Sequence, residues 1–255
     1  MTHHILAIGA SHTIGPRGLC DDIITIARLG AEPVPVTTAL SATAQGGALT
    51  LDPVAPTLIA DQLNEALASV EHAVVKTGFV GGPEAIDLLT DGLEELAGGR
   101  FPIVAEACVL DMRGAPMLDE FGMSTLKRRL LLIPDLLVCT RAEAEALTGL
   151  HAVDDWSTLH AAEMLLTIGP QRVFVEGGHE GPDILVDESG HEMMGGIEDL
   201  PVLPGTSTAA AIATFLGAGY QPNDAVRAAR DVVRSQFVPP LLERRDETSD
   251  ILAAQ

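Results

Sequence analysis

Short apolar runs alternate with amphipathic stretches along almost the whole chain, and this alternation limits the folds that are available. Short runs suit buried strands, whereas stretches of about ten to fifteen residues suit helices that cover a sheet. Such alternation is typical of parallel sheets built from βαβ units. It predicts strands at 5–9, 34–40, 73–78, 102–107, 136–139, 172–176, 183–186 and 191–194, and helices at 21–29, 56–70, 83–96, 123–132, 141–147, 156–168, 207–217 and 223–237, the last capped by Asn223. The small, polar stretch 41–51 is expected to form a flap or a short hairpin.

Length and composition limit the domain count and the partners. No linker or repeat interrupts the pattern, so we expect one domain over 1–255 with a loosely held tail at 243–255. The net charge of −21 repels nucleic acids and anionic membranes, and an aromatic content of 3% leaves few stacking platforms for bases. Prolines and glycines in the apolar window 201–222 argue against a membrane span.

The cysteines and the first residues bear on localisation. Three widely spaced cysteines make no CxxC pair, and the N-terminus lacks the basic region of a signal peptide. We therefore expect a reduced, cytoplasmic protein. The acidic, lysine-poor composition is compatible with a GC-rich genome or with a saline habitat.

The stretch 204–217 combines a Gly/Thr/Ser turn with an alanine-rich helix. Backbone N–H groups at such a helix start, with the positive end of the helix dipole, form an anion site. Thr206, Ser207 and Thr208 add hydroxyl groups there, and the uncharged helix is expected to be buried. Two interpretations are open: a phosphate-binding turn, or an ordinary Ser/Thr cap on a core helix.

Ligands of open parallel sheets bind at the carboxyl ends of the strands. The predicted strand ends carry His12 to Gly18, Lys76 to Gly78, Glu106, Thr140, Gly177 to His179 and the turn at Gly205. The chain has no GxxxxGKS/T loop, no GxGxxG fingerprint and no GxSxG elbow, which argues against a P-loop protein, a dinucleotide fold and a hydrolase. His179 and His191 lack other ligands at a metal-binding spacing.

Several of these segments, taken in order, resemble motifs of the ribokinase-like superfamily, above all its hydroxymethylpyrimidine/phosphomethylpyrimidine kinase branch, with pyridoxal kinase as a near relation. The resemblance runs from Leu6 to about Gln236. It rests on Ala7 to His12 with Gly15 to Gly18 and Asp22, Leu29 to Ala31, Thr38 to Leu40, Lys76 to Gly78, Thr140 to Glu143, Val175 to His179 with Asp183, and Pro204 to Thr208. It implies an α/β fold, a three-layer α/β/α sandwich with a mostly parallel central sheet, and a homodimer.

The resemblance also implies a function in thiamine biosynthesis. ATP, with Mg²⁺, would phosphorylate the hydroxymethyl group of a small pyrimidine or pyridine, such as hydroxymethylpyrimidine or its phosphate. The implied substrate-binding residues are His12, Gly18, Asp22, Thr43 and Lys76. The implied nucleotide-binding residues are Thr140, Glu176, Gly177, Gly178, Glu106 and Glu143, of which Glu106 and Glu143 would also organise the metal. The implied catalytic residues are Gly205, Thr206, Ser207 and Thr208, with Thr208 at the general-base position.

Five positions depart from the pattern of the resembling kinases. Thr208 stands in place of a Cys or Asp that accepts the proton of the substrate hydroxyl, and a threonine hydroxyl is too weak a base for this near neutral pH. Ser207 replaces the glycine of the anion hole, Thr140 replaces an Asn, and His12 replaces the Asp of the substrate loop. Glu176 replaces a Lys, and it would either oppose the nucleotide phosphates or point to solvent.

Three functional hypotheses follow. The first is an ATP- and Mg²⁺-dependent kinase acting on a small molecule. The second is a degenerate homologue that binds a ligand or a partner without transferring phosphate, and the third is an unrelated α/β transferase. A nucleotide-dependent rise in melting temperature would favour the first over the second.

Overall fold

The computed structural model describes residues 3–13, 18–44, 49–70, 73–97, 101–178, 181–195 and 207–235. Within these ranges the strands are β1 (His4–His12), β2 (Glu32–Thr43), β3 (Leu49–Pro53), β4 (Ala73–Thr77), β5 (Ile103–Glu106), β6 (Leu136–Thr140), β7 (Arg172–Glu176), β8 (Asp183–Asp187) and β9 (Gly190–Met194). The α-helices are α1 (Leu19–Arg28), α2 (Pro56–Ser69), α3 (Pro83–Ala97), α4 (Glu120–Arg128), α5 (Arg141–Thr148), α6 (Asp155–Leu166), α7 (Thr208–Gly217) and α8 (Pro222–Ser235). A 3-10 turn covers Leu130–Leu132.

The strands form a single sheet in the order β3-β2-β1-β4-β5-β6-β7-β8-β9. The run from β2 to β7 is parallel throughout. Antiparallel pairs lie only at the edges, where β3 joins β2 on one side and β8 and β9 follow β7 on the other. The progress of the chain across the sheet reverses between β1 and β4. A reversal of this kind opens a crevice at the carboxyl ends of the two strands, where ligands of open α/β sheets bind.

Alternate side chains of the central strands pack on opposite faces of the sheet, as the two-residue period of a strand requires. Ile5 and Ala7 of β1 share one core with α1, α7 and α8. Leu6 and Ile8 share the other core with α2 to α6. The predicted three-layer sandwich is therefore confirmed, and α7 is as buried as its uncharged sequence indicates. No helix in the described ranges is long and apolar enough to cross a bilayer.

The predicted boundaries of two helices were wrong for local reasons. The helix expected at 123–132 begins earlier, because Asp119 accepts a hydrogen bond from Gly122 N and caps α4. It ends at Arg128, and the 3-10 turn follows. Asn223 does not cap α8, which already begins at Pro222; its side chain instead contacts Asp187 and Arg172.

Three further predictions concern segments that lie partly or wholly outside the described residues. The stretch 41–51 contains two antiparallel strand segments, with the connection at 45–48 outside the described residues. The last helix is described as far as Ser235, so its predicted end at 237 and the tail 243–255 lie outside the described residues.

The connection between α6 and β7 passes close to the 3-10 turn, which gives a test of the packing. A Cβ atom on Gly169 would lie 2.5 Å from Leu132 Cα and 2.7 Å from Leu131 O. We expect Gly169→Ala to reduce the free energy of unfolding by about 1–3 kcal/mol, because backbone must shift to admit the methyl group. Gly195→Ala is the control, since nothing lies within 4 Å of its Cβ position. Equal stabilities of the two variants in denaturant titrations would contradict this packing.

Candidate active site at the strand ends

The carboxyl ends of the parallel strands carry most of the predicted site residues. His12 ends β1, Thr43 ends β2, and Glu106, Thr140 and Glu176 end β5, β6 and β7. Lys76 lies in β4, and Thr208 begins α7 on the same side of the sheet. Gly205 and Thr206 lie outside the described residues, so the predicted anion turn is represented here by Ser207 and Thr208 alone.

Lys76 joins two carboxylates below this edge. Its Nζ lies 2.7 Å from Asp22 Oδ2 and 2.5 Å from Glu106 Oε2, and its side chain is 1% exposed. Burial alone would lower the pKa of Lys76, but the two carboxylates outweigh burial and raise the pKa above its usual value. Burial raises the pKa of Asp22, and the positive charge of Lys76 opposes that rise. Lys76 is therefore a fixed positive charge near neutral pH.

Asp22 also connects this cluster to the start of α7. Ser207 Oγ donates to Asp22 Oδ1 at 2.8 Å, and Ser207 N donates to Thr25 Oγ1 at 3.0 Å. Ser207 Oγ in turn accepts a bond from Ala210 N at 3.3 Å, which makes Ser207 the cap of α7. The capping interpretation is thus confirmed for Ser207. A helix start held in this way still presents the N–H groups of its first turn, which have no partner inside the helix.

Thr208 and Glu176 form the second connection at the helix start. Thr208 Oγ1 donates to Glu176 Oε1 at 2.6 Å, and Thr208 is 8% exposed. Glu176 therefore turns towards the helix rather than out to solvent. Burial raises the pKa of Glu176 to about 7; the hydrogen bond from Thr208 opposes this rise, and the negative charges of nearby acidic side chains add to it. Both protonation states of Glu176 are accessible near neutral pH.

Thr140 and Glu143 form a capping box at the start of α5. Glu143 Oε2 accepts bonds from Thr140 N and Thr140 Oγ1, each at 3.0 Å, while Oε1 accepts one from Val109 N at 3.2 Å. Burial raises the pKa of Glu143. Both of its oxygens are thus engaged by the protein, and Glu106 is engaged by Lys76. The described residues contain no group of three His, Cys, Asp or Glu side chains placed to hold a metal ion.

The predicted substrate residues fall into two groups. Asp22 and Lys76 belong to the central cluster, whereas His12 lies further along β1 and contacts Thr43 Oγ1 at 3.3 Å through Nε2. The strand partner of Lys76 on β1 is Ala7, so His12 is about 16 Å further along the strand. Gly18 lies near His12; its φ of 75° and the 2.6 Å from its Cβ position to Ala10 O both require glycine.

The loop after β7 is organised by Asp183. Gly177 N donates to Asp183 Oδ1 at 2.9 Å, and Arg230 Nε donates to Asp183 Oδ2. The backbone of Pro182 leaves no room for a side chain at Gly177, and Gly178 has a φ of 57°. These contacts explain the Gly-Gly pair structurally, while the predicted contact of both glycines with a nucleotide stays a prediction.

Sequence reasoning missed two parts of the site. Thr25 lies one turn after Asp22 on α1, and this i, i+3 spacing was a usable signal that both side chains share a face. Cys108 lies close to the Lys76 cluster with a φ of 44°, and burial raises the pKa of its thiol. No motif marks Cys108, because its position depends on the path of the chain after β5.

The raised pKa of Glu176 predicts a pH-dependent stability. A carboxyl group with an ordinary pKa of 4.5 and a folded value of about 7 binds its proton more tightly in the folded state. That contribution is complete below pH 4.5 and is lost as the pH rises through 7. We therefore expect Glu176→Gln to have a higher melting temperature than the wild type at about pH 8.5, with a free energy of unfolding larger by up to a few kcal/mol. Near pH 5 the two proteins should be equally stable.

Thermal unfolding at the two pH values measures this difference. Glu163→Gln is the control, because Glu163 is exposed on α6. A Glu176→Gln effect of the same size at both pH values would show that the carboxyl group titrates normally.

Comparison with known proteins agrees with this architecture. Residues 13–241 match the family described as phosphomethylpyrimidine kinase. A thiamine biosynthesis bifunctional protein from Geobacter sulfurreducens is 30% identical over 98% of this chain, and the chain spans 53% of that relative. A phosphomethylpyrimidine kinase structure from Clostridium difficile has a TM-score of 0.81 at 23% identity, covering 92% of this chain and 99% of that one. A pyridoxal kinase from Bacillus subtilis, solved as an ADP complex, has a TM-score of 0.83 at 20% identity, covering 96% and 95%. The chain therefore belongs to the phosphomethylpyrimidine kinase family.

Proposed function

We propose that the protein transfers the γ-phosphoryl group of ATP to the hydroxymethyl group of a small pyrimidine or pyridine. Hydroxymethylpyrimidine and its phosphate, both thiamine precursors, are the first candidates. The observation that carries the proposal is the anchoring of α7, whose first turn is held against the buried Asp22–Lys76 cluster at the reversal point of the sheet. Family membership supports it.

The proposed roles of the residues come from the family resemblance, and the strand-end positions of the described residues support them. The first-turn N–H groups of α7, with Gly205 and Thr206 of the predicted anion turn, would bind the transferring phosphoryl group. Lys76 and Asp22 would orient the substrate, with His12, Thr43 and Gly18 closing the far side of its pocket. Thr140, Glu176, Gly177 and Gly178 would border the nucleotide.

The negative charge at the strand ends favours a cation when a nucleotide binds. Asp22, Glu106, Glu143 and Glu176 surround this region, and Lys76 already neutralises part of their charge. Mg²⁺ commonly enters such sites on the phosphates and retains several waters, which suits carboxylates whose oxygens already accept protein hydrogen bonds. Glu143 and Glu106 would hold the ion through its waters, and the ion would neutralise charge on the phosphates.

A second candidate function is favoured by Thr208 and Glu176. Their side chains satisfy each other, where the resembling kinases have a base and a lysine. With these two side chains bonded to each other, the protein would bind nucleotide or a pyrimidine without transferring phosphate. We further propose that 1–255 is one domain that forms a homodimer in the cytoplasm.

An assay with two readouts separates these functions. The protein is incubated with ATP, Mg²⁺ and, in turn, hydroxymethylpyrimidine, its phosphate or pyridoxal. ADP is measured by a coupled assay and the phosphorylated product by mass spectrometry. Melting temperature is measured with and without ATP·Mg²⁺, since a ligand at 100 times its Kd adds about 2.7 kcal/mol of stability.

We expect substrate-dependent ADP release, a product heavier by one phosphoryl group, and a clear melting shift. A melting shift without product from hydroxymethylpyrimidine, its phosphate or pyridoxal would contradict the kinase and favour the binding protein. Absence of both signals would contradict the kinase and a nucleotide-binding homologue alike.

A further inference from the structure

The Thr208 hydroxyl is oriented by the bond it donates. Because its hydrogen points to Glu176 Oε1 at 2.6 Å, the lone pairs of Thr208 Oγ1 are left to accept a hydrogen bond from another group. Ser207 already caps α7 through Ala210 N, so the Thr208–Glu176 bond is not needed as a cap. The pair therefore places an acceptor, backed by a carboxylate, at the start of the helix.

We propose that Glu176 accepts the proton of the substrate hydroxyl during phosphoryl transfer, acting through the hydroxyl of Thr208. This inference rests on the proposed kinase function. It assigns Thr208 as the group that touches the substrate and Glu176 as the group that orients Thr208 and takes up the proton. The weak basicity of threonine is then no obstacle, because the carboxylate of Glu176 takes up the proton.

The step balances without any further reactant. The substrate oxygen forms a bond to the γ-phosphorus of ATP, and the bond from that phosphorus to the bridging oxygen breaks, with the electron pair leaving on ADP. The substrate proton passes to Thr208 Oγ1 as the hydrogen of Thr208 passes to Glu176. When the product leaves, Glu176 returns the proton to solvent by the reverse path.

The surroundings of Glu176 suit a proton acceptor. It faces Glu106 from β5, Glu143 from α5, Asp183 from β8 and Cys139 from β6. Arg230 pairs with Asp183 and offsets that one charge. Burial and the remaining acidic neighbours raise the pKa of Glu176 to about 7, so the group can both take and release a proton near neutral pH.

The test compares kcat and KM against pH for the wild type, four single variants and one double variant. Glu176→Gln keeps an amide oxygen that can accept the hydrogen bond from Thr208, but the amide cannot take up a proton. Thr208→Val removes the hydroxyl, and Thr208→Ser keeps it. Glu163→Gln, exposed on α6, controls for the loss of one carboxylate. Circular dichroism and ADP affinity establish that each variant is folded and binds nucleotide.

We expect kcat of the wild type to rise with pH through a single inflection and then level off. Glu176→Gln and Thr208→Val should each lower kcat by about 10²- to 10⁴-fold with little change in KM, and Glu176→Gln should abolish the inflection. Thr208→Ser should turn over faster than Thr208→Val and keep the inflection, whereas Glu163→Gln should keep both the rate and the inflection. Adding Thr208→Asp to Glu176→Gln should recover at least about tenfold, since it returns a carboxylate to the helix start.

Other outcomes overturn the inference in distinguishable ways. A wild type that forms no product overturns the proposed function, and this inference with it. A wild type that turns over, while Glu176→Gln keeps the rate and the inflection, overturns the inference alone. An unchanged kcat in Thr208→Val would also overturn it, because the proton would then have another path.

Discussion

The buried ammonium group of Lys76 is the interaction on which the site depends. It holds Asp22 of α1 and Glu106 of β5 against β4, and Asp22 extends the connection to Ser207 at the start of α7. Four elements are thereby fixed by one side chain that is 1% exposed. Removing one partner from such a buried group leaves uncompensated charge, which typically costs about 3–5 kcal/mol. The crevice between β1 and β4 thus owes its geometry to electrostatics as well as to the apolar cores.

An excess of carboxylates at the strand ends has a consequence for proton binding. Lys76 neutralises charge beside β4 and β5, but Glu176 at the end of β7 lies among acidic neighbours. Burial is the main reason that its pKa is raised to about 7, and the negative charges of those neighbours add to the rise. A lysine at this position would attract nucleotide phosphates; the glutamate instead holds the hydroxyl of Thr208. The substitution that removes the phosphate-attracting lysine of the resembling kinases is thus the same one that supplies a carboxylate beside Thr208.

The sequence indicated the parallel sheet and the strand-end position of the candidate residues, because strand and helix periodicities are local properties; the three layers were implied by the family resemblance. It also left open a Ser/Thr cap at the start of α7, which the structure assigns to Ser207; the capping box of Thr140 with Glu143 was not predicted, although it depends on spacing within four residues. It could not indicate that Glu176 contacts Thr208, because these residues are 32 apart and meet only through the packing of α7 on the sheet. For the same reason it could not indicate that Lys76 contacts both Asp22 and Glu106, since Asp22 is 54 positions from Lys76 in the chain.

The central claim is that the carboxyl group of Glu176 is linked to ligand binding at the start of α7. Calorimetric titration with ADP, without Mg²⁺, at about pH 7.5 in buffers of different ionisation enthalpy tests it most directly. An anionic phosphate near Glu176 should raise its pKa further, so binding should take up a fraction of a proton. The account predicts a buffer-dependent enthalpy in the wild type that disappears in Glu176→Gln. Equal binding enthalpies in all buffers for the wild type, or the same proton uptake in both proteins, would contradict it.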